Sequence, residues 1–254
     1  MSDEAGSIRV ERHAGRAEVI LARSAKRNAL SMAMLRELQA ALVALAADAA
    51  VRVVLLTGEG DRAFSAGADL AEMAALDAAG IEEFLALGHG VADALEQLPQ
   101  PVIAAVNGFA LGGGCELMLA CDLALAADTA VIGLPEIDLA LIPGWGGTQR
   151  LARRVGLGRA LHLVLTGNRI SAEEAASIGL VDRVVPAAAL LTEARALAEG
   201  LAAKDPAALR AAKAAVRAAL SPGLAEGLRQ ERERFAALFA RPERAAATAR
   251  FLRR

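Results

Sequence analysis

The amino-acid sequence predicts an α/β fold that continues into an all-helical region at the carboxyl end. Short apolar, β-branched runs alternate with helical patterns over the first two-thirds of the chain. From about Ala187 onward, every segment has a helical pattern. The 254 residues are 55% apolar, which is enough for a sizeable core. We therefore expect a core domain over residues 1–186 and a helical region over residues 187–254.

The first predicted elements are a hairpin and a helix. Residues 8–12 and 18–22 predict two short paired strands. Ser31 belongs to the residue types that cap helices at their amino end. The helix behind it would bury leucines that recur at spacings of three and four, namely Leu35, Leu38, Leu42 and Leu45.

Buried strands and helices then alternate along the chain. The apolar, β-branched run at residues 51–57 predicts a buried strand, and a second such strand lies at Val102–Val106. Between them, residues 81–98 have a helical pattern that Pro99 ends. Further predicted elements are helices at 113–120, 147–155, 159–166 and from Ser171 to Gly179, and strands at 123–127, 130–133 and 180–185.

The carboxyl-terminal region predicts four helices, at 189–203, 206–219, 223–239 and 243–252. Prolines lie near the starts of several of them, where the missing N–H costs least. The segment 221–254 combines many arginines with apolar residues at helical spacing, which is typical of a solvated amphipathic helix. An oligomer contact with a cationic rim for a phosphate-bearing ligand is the alternative interpretation.

Composition and charge argue against several classes of function. The formal net charge is −2, so no global basic field attracts nucleic acid. The two cysteines do not form a disulfide framework, and the three histidines His13, His89 and His162 lack ligand spacing, so we expect no metal site. No stretch reaches about 18 uninterrupted apolar residues, and no apolar signal-peptide region is present. We therefore expect a cytoplasmic protein without a membrane span.

Three loops rich in small residues follow predicted strands, at residues 64–70, 112–116 and 135–150. Glycine lets a ligand oxygen approach the backbone closely, and the first N–H groups of a helix have no intrahelical partner. Parallel sheets place such loops at one edge, where ligands bind. Each loop alone is compatible with an ordinary turn, but the three together favour a binding site.

Two glutamates, Glu116 and Glu136, lie beside these glycine clusters. Carboxylates can move protons, and clustered backbone N–H groups can hold an oxyanion. Together they indicate chemistry next to a carbonyl group that must be polarised.

Two competing motifs fit less well. Residues 58–63 match G-x-G-x-x-A after a strand, but a dinucleotide-binding fold needs a helix to follow, and residues 65–67 interrupt it. Residues 63–67 resemble a degraded nucleophile elbow around Ser65, with His162 downstream. The loop before Ser65 is too long for that tight turn.

Three segments carry a resemblance to a known family. Their sequences are AFSAGADL at 63–70, NGFALGGGCEL at 107–117, and PEI followed by IPGWGGTQRL within 135–151. Together with KRNAL at 26–30, they resemble the enoyl-CoA hydratase/isomerase (crotonase) superfamily over nearly the whole chain. The resemblance implies a spiral of ββα units followed by a helical trimerisation region.

The resemblance also implies an acyl-CoA substrate bent between residues 23–30 and 64–70. Its thioester oxygen would accept hydrogen bonds from the backbone N–H groups of Ala68 and Gly113. No separate cofactor is implied, because CoA is part of the substrate, and a homotrimer or a dimer of trimers is expected. The implied substrate-binding residues are Lys26, Arg27, Ala29, Ala66, Gly67, Asp69, Leu70, Gly112, Pro135 and Gly144.

Within the family, hydratases carry glutamates at both positions, so the resemblance implies hydration of a trans-2-enoyl-CoA to a 3-hydroxyacyl-CoA. We assign Glu116 as the base that activates water and Glu136 as the proton donor to C2, although a coupled pair leaves this division open. The alternatives are an enoyl-CoA isomerase, another acyl-CoA lyase or hydrolase of the superfamily, and a non-catalytic acyl-CoA-binding protein.

Two positions depart from the family's pattern. Ala71 stands where several members carry a lysine that reaches a CoA phosphate. Lys26, Arg27 or a carboxyl-terminal arginine of a neighbouring subunit would then pair with the phosphates. Near the carboxyl terminus, residues 243–247 depart from the family's common Asp-x-x-Glu-Gly motif. This departure puts in doubt the contacts that the carboxyl-terminal segment usually makes, but it does not involve the three central loops.

Overall fold

The computed structural model describes residues 7–219 and 224–239 together with Arg241 and Glu243. Within these residues, ten strands form two sheets. The six-stranded sheet has the order β1-β2-β3-β5-β7-β10, and the four-stranded sheet has the order β4-β6-β8-β9. The strands are β1 Ser7–His13, β2 Arg16–Ala22, β3 Val53–Gly58, β4 Ala63–Ser65, β5 Val102–Val106, β6 Phe109–Leu111, β7 Leu123–Ala127, β8 Val131–Gly133, β9 Arg169–Ser171 and β10 Arg183–Val185.

The two sheets alternate along the chain. The predicted hairpin is confirmed, since β1 pairs with β2 in antiparallel register, and the rest of the larger sheet is parallel. Each of β3, β5 and β7 is followed by a short strand of the second sheet and then by helices. This repeat is a spiral of ββα units, and the predicted fold class is confirmed.

The described residues form ten α-helices. Ser31 accepts a hydrogen bond from the Met34 N–H at 3.2 Å, so the predicted cap of α1 is confirmed, and the four predicted leucines are buried. The helices are α1 Met32–Ala47, α2 Leu70–Met73, α3 Ala78–Gln97, α4 Gly113–Ala120, α5 Gly147–Val155, α6 Leu157–Thr166, α7 Ala172–Ser177, α8 Leu190–Ala202, α9 Pro206–Ala218 and α10 Leu224–Phe239.

The second sheet is the main feature that the sequence pattern did not predict. Three of its strands, Ala63–Ser65, Phe109–Leu111 and Arg169–Ser171, were not expected. Each has only three residues, too few for alternation to be visible. The last strand is also shorter than predicted, because the Leu180 N–H donates to the Ala175 carbonyl and residues 180–181 close the turn after α7.

The carboxyl-terminal helices pack against the core through apolar and ionic contacts. Helix α8 buries Leu190, Ala194 and Ala198 and contacts strands β3, β5 and β7.

The predicted helix at 243–252 lies outside the described residues except for Glu243. The division at residues 186 and 187 stays a prediction. Among the described helices, none combines the length and apolar character that a bilayer crossing requires.

Candidate active site

The three glycine-rich loops meet at one cavity of about 630 Å³. Helix α3 forms another wall, and the lining is mainly apolar. This arrangement confirms that the loops converge, as their positions after parallel strands predicted. The predicted site residues that line the cavity are Ala66, Gly67, Ala68, Leu70, Gly112, Gly113, Glu116, Pro135, Glu136 and Gly144.

Four other predicted residues do not line the cavity, namely Lys26, Arg27, Ala29 and Asp69. The Arg27 carbonyl accepts a hydrogen bond from the Ala66 N–H at 2.9 Å, and the Leu30 N–H donates to the Gly67 carbonyl at 2.8 Å. The segment 26–30 therefore holds the loop in place, and contact of these residues with a substrate stays a prediction.

Asp69 stabilises the end of the first loop. Its carboxylate accepts hydrogen bonds from the backbone N–H groups of Ala71 and Glu72 and so caps α2. It also pairs with the guanidinium of Arg23 at 2.6 Å. Although burial alone would raise the pKa of Asp69, the hydrogen bonds from Arg23 and the backbone outweigh it and lower the pKa. The carboxylate thus fixes the end of the loop.

Two backbone N–H groups are free to bind a ligand. Among the described residues, the N–H groups of Ala68 and Gly113 donate to no protein acceptor. Gly113 is the first residue of α4, where the helix dipole favours negative charge. The two loops touch, because a Cβ placed on Gly67 would lie 3.2 Å from the Gly113 nitrogen. The two loops therefore lie against each other, and binding of one oxygen atom by both N–H groups stays a prediction.

Glu116 is held by backbone amides. Its side chain is 2% exposed, and its Oε1 accepts hydrogen bonds from the N–H groups of Trp145 and Gly147 at 2.7 Å each. Burial raises the pKa of Glu116, while these two amides and the positive charge of Arg150 oppose that rise. The carboxylate is thus fixed in direction, and the two amides limit the rise of its pKa.

Glu136 has a different environment. It lies in a 3₁₀ helix at Pro135–Leu139, and its Oε2 is buried without a hydrogen-bond partner among the described residues. Burial raises the pKa of Glu136 to about 7. A hydrogen bond from its own backbone N–H opposes the rise, and the negative charge of Glu116 adds to it. A buried oxygen without a partner, at a ligand-sized cavity, is suited to a proton exchange with a bound molecule.

Trp145 shapes the cavity in a way that the sequence did not reveal. Its indole is 3% exposed and packs edge-on against Phe84, with ring centroids 5.3 Å apart. A Cβ on either Gly88 or Gly113 would overlap the indole ring. The ring therefore fits a slot between α3 and α4 that only glycines leave open.

Other wall residues were not among the predicted site residues. They come from α2, α3 and the loop that precedes α5, and the only sequence signal was the apolar face of α3. They include Met73, Ile81, Leu85, His89, Leu139, Leu141 and Ile142.

The structure also bears on the rival motifs. Ser65 is buried, its hydroxyl donates to the Asn28 carbonyl at 2.8 Å, and its oxygen accepts from the Gly67 N–H at 3.1 Å. This serine supports the loop and does not present a nucleophile. Residues 58–63 connect β3 to β4 without a helix, so the dinucleotide-binding interpretation is wrong.

One group of possible metal ligands lies elsewhere, on the β1–β2 hairpin. Glu11, His13 and Glu18 bring one ligand atom each within 4.8 Å of one another, a proximity that sequence spacing did not suggest. However, the Glu18 carboxylate already accepts hydrogen bonds from Arg16 and Arg195. Its charge is therefore balanced by two guanidinium groups.

Comparison with known proteins gives a consistent result. The family model described as enoyl-CoA hydratase/isomerase matches residues 11–254. The chain is 47% identical to the putative enoyl-CoA hydratase/isomerase YngF of Bacillus subtilis, over 85% of this chain and 84% of that protein. It is 45% identical to the crotonyl-CoA hydratase of Syntrophomonas wolfei, over 84% and 82%. Its fold resembles the crystal structure of an enoyl-CoA hydratase from Bacillus anthracis, with a TM-score of 0.95, 43% identity and coverage of 97% and 96%.

Proposed function

The chain belongs to the enoyl-CoA hydratase/isomerase family, and from this premise we propose that it adds water across the double bond of a trans-2-enoyl-CoA to give a 3-hydroxyacyl-CoA. The observation that carries the proposal is the pairing of two carboxylates with two free backbone N–H groups on one cavity. An acid, a base and an oxyanion site are the three parts that hydration of a conjugated thioester requires.

The thioester oxygen accepts hydrogen bonds from the N–H groups of Ala68 and Gly113. When the oxygen of water bonds to C3, the π electrons of the alkene shift towards that thioester oxygen as an enolate. The two donors stabilise the developing charge, and loss of one such donor typically costs about 10²–10³ in rate. The product forms when the enolate collapses and C2 gains a proton.

The proton balance involves both carboxylates. Glu116 accepts a proton from the attacking water, and Glu136 donates its proton to C2. A proton then passes from Glu116 to Glu136, directly or through solvent, so that one molecule of water has been added in total. The pKa of Glu136, raised to about 7 mainly by burial, supports its role as a donor at neutral pH. The two amide hydrogen bonds support Glu116 as the base.

The remaining features of the proposal concern the bound molecule and the assembly. CoA is part of the substrate, and no separate cofactor takes part in these steps. Lys26 and Arg27 are the proposed partners of the CoA phosphates, and a homotrimer or dimer of trimers in the cytoplasm is the proposed assembly.

The absorbance of crotonyl-CoA tests the proposal. Purified protein should remove the absorbance of the conjugated double bond and form 3-hydroxybutyryl-CoA. Hydration would be contradicted if this absorbance stayed constant with short, medium and branched enoyl thioesters. Conversion of a 3-enoyl-CoA without hydration would favour the isomerase instead. Binding of the thioesters without any reaction would favour a non-catalytic binding protein.

A further inference from the structure

A chain of polar contacts leads from the carboxyl-terminal helices to Glu116. On α9, Arg217 pairs with Glu96 of α3 at 2.9 Å. Glu96 in turn accepts a hydrogen bond from Arg150 of α5 at 2.8 Å. The Arg150 guanidinium donates to the Trp145 carbonyl at 2.9 Å, and the Trp145 N–H donates to Glu116 at 2.7 Å.

Arg150 is the central member of this chain. Its side chain is 13% exposed and is held from the other side by Glu96 and by Asp93, at 2.7 Å. Three of its donors are therefore occupied, two of them by carboxylates in charge-assisted bonds. These contacts hold the planar guanidinium between α3 and the turn at residues 145–147.

The turn at residues 145–147 is built around this guanidinium. Gly146 has a φ of +96°, and a Cβ there would overlap Nη1 of Arg150. The same turn supplies both N–H groups, from Trp145 and Gly147, that hold Oε1 of Glu116. Displacement of the guanidinium would therefore release the Trp145 carbonyl and loosen the turn that supplies both donors.

We propose that Arg150 is a positioning residue for the hydration step, acting through the Trp145 carbonyl to hold the 145–147 turn and thereby to fix the Glu116 carboxylate towards the attacking water. The inference rests on the proposed function, because it assigns Glu116 to the reacting water. Arg150 does not contact the substrate in this scheme.

The charge of Arg150 gives this role a second consequence. Glu136 from the 3₁₀ helix, Cys115 from α4 and Arg150 from α5 interact electrostatically with Glu116. The other ionisable groups that line the same cavity are His89 of α3, Asp138 of the 3₁₀ helix and Arg169 of β9. Arg150 is the cation whose charge opposes the rise of the Glu116 pKa. Its removal should move the acid limb of the pH profile, which reports ionisation of the base, to higher pH.

The test compares Arg150→Gln with wild-type protein in the hydration of crotonyl-CoA. We expect kcat to fall by about 10²-fold, the typical cost of a misplaced catalytic group, with a much smaller change in KM. We also expect the acid limb of kcat/KM to move to higher pH. In a Glu116→Gln background, the further loss caused by Arg150→Gln should shrink to less than about threefold, since there is no carboxylate left to position.

Arg154→Gln is the matched control. Arg154 lies on the same helix but pairs with Asp182 and the Gly179 carbonyl, away from the 145–147 turn. Its kcat and pH profile should equal those of wild-type protein. Thermal unfolding of each variant shows whether the fold persists. If Arg150→Gln does not fold, Arg150→Lys carries the test, with an expected fall in kcat of about tenfold and an unshifted acid limb, because the charge remains.

Several outcomes would overturn the inference. An Arg150→Gln variant with wild-type kcat and pH profile would do so. The inference would also be wrong if Arg150→Gln lowered kcat equally in the wild-type and the Glu116→Gln backgrounds. If Arg150→Gln does not fold, a folded Arg150→Lys variant with wild-type kcat would also overturn the inference. A wild-type protein that hydrates no enoyl thioester would instead contradict the proposed function itself, so the two failures are distinguishable.

Discussion

Glu116 and Glu136 line the same cavity, but Oε1 of Glu116 accepts two backbone hydrogen bonds whereas Oε2 of Glu136 is buried with none. Hydrogen bonds from N–H groups favour a carboxylate, and burial without them favours a protonated carboxyl group. Two neighbouring carboxyl groups with different environments can therefore take different protonation states at one pH. This asymmetry supports the proposed division into base and proton donor.

The first prediction concerns Glu136→Gln. An amide of similar shape keeps the packing but can neither donate its proton to C2 nor recover one. We expect kcat/KM for crotonyl-CoA to fall by about 10²–10⁴, the usual cost of losing an acid–base group. Steady-state kinetics and a circular dichroism spectrum of the same sample measure activity and fold together. A folded variant with full activity would remove Glu136 from the mechanism.

The second prediction concerns stability and pH. The pKa of Glu136 is raised from 4.5 to about 7 in the folded protein, so between these values the native state binds more protons than the unfolded state. By linkage, Glu136 makes the free energy of unfolding fall as pH rises through this window, and the loss is complete above about pH 7. Glu136→Gln removes this contribution.

The measurement is urea unfolding of both proteins across the same pH window. The free energy of unfolding of Glu136→Gln, relative to that of wild-type protein, should increase from about pH 4.5 to about pH 7 and then stay constant. Glu116 has a raised pKa as well, but its burial is the same in both proteins and contributes equally to both. A difference that does not change with pH would contradict the prediction.

Much of the fold was predictable from local signals. Ser31 and Ser171 mark the starts of α1 and α7 as expected, and both accept the capping hydrogen bond. The buried strands β3 and β5 consist of continuous apolar, β-branched runs, which are typical of parallel strands that are buried on both faces. Three strands of the second sheet were missed because such three-residue strands depend on pairing with distant residues, such as Phe109 with Val131, and not on their own pattern.

The site was predictable in its backbone groups more than in its side-chain partners. Glycines mark close approach of the chain, so residues 112–114 and 144–147 indicated the cavity. No spacing or motif indicated that Arg150 reaches the Trp145 carbonyl or that Asp69 pairs with Arg23. Such pairs depend on rotamers and on elements far apart in the chain, which spacing alone does not encode.

The third prediction concerns the contact between the two donor loops. Gly67 has a φ of +97°, and a Cβ there would lie 2.6 Å from the Leu111 carbonyl oxygen and 3.2 Å from the Gly113 nitrogen. Gly67→Ala should therefore push the Ala68 N–H away from that of Gly113. We expect kcat/KM to fall by about 10²–10³, as for the loss of one oxyanion donor, measured with crotonyl-CoA.

Gly179→Ala is the control for this variant. Gly179 has a φ of +76°, but a Cβ there meets nothing within 4 Å. Both variants carry the backbone strain of alanine in a left-handed conformation, and only Gly67→Ala separates the donors. Equal activity of the two variants would show that the loop contact does not matter for catalysis.

The fourth prediction concerns the slot that holds the Trp145 indole. A Cβ on Gly88 would overlap Cε2 and Nε1 of the ring, and Gly113 closes the slot on the other side, so the ring cannot withdraw. Overpacking of a buried site costs about 1–3 kcal/mol. Gly88→Ala should lower the free energy of unfolding by this amount. It should also lower kcat, because a displaced Trp145 carries its N–H away from Glu116.

Gly90→Ala, on the same helix, separates this effect from helix propensity. A Cβ there meets only Nε2 of Gln39, the end of a flexible side chain, at 2.9 Å. Alanine in a helix interior is otherwise more favourable than glycine by roughly 0.5–1 kcal/mol. The two substitutions should therefore change the free energy of unfolding in opposite directions in urea titrations. If Gly88→Ala were as stable and as active as Gly90→Ala, the indole would not be confined by α3, and the slot could not be what sets the position of the Trp145 backbone.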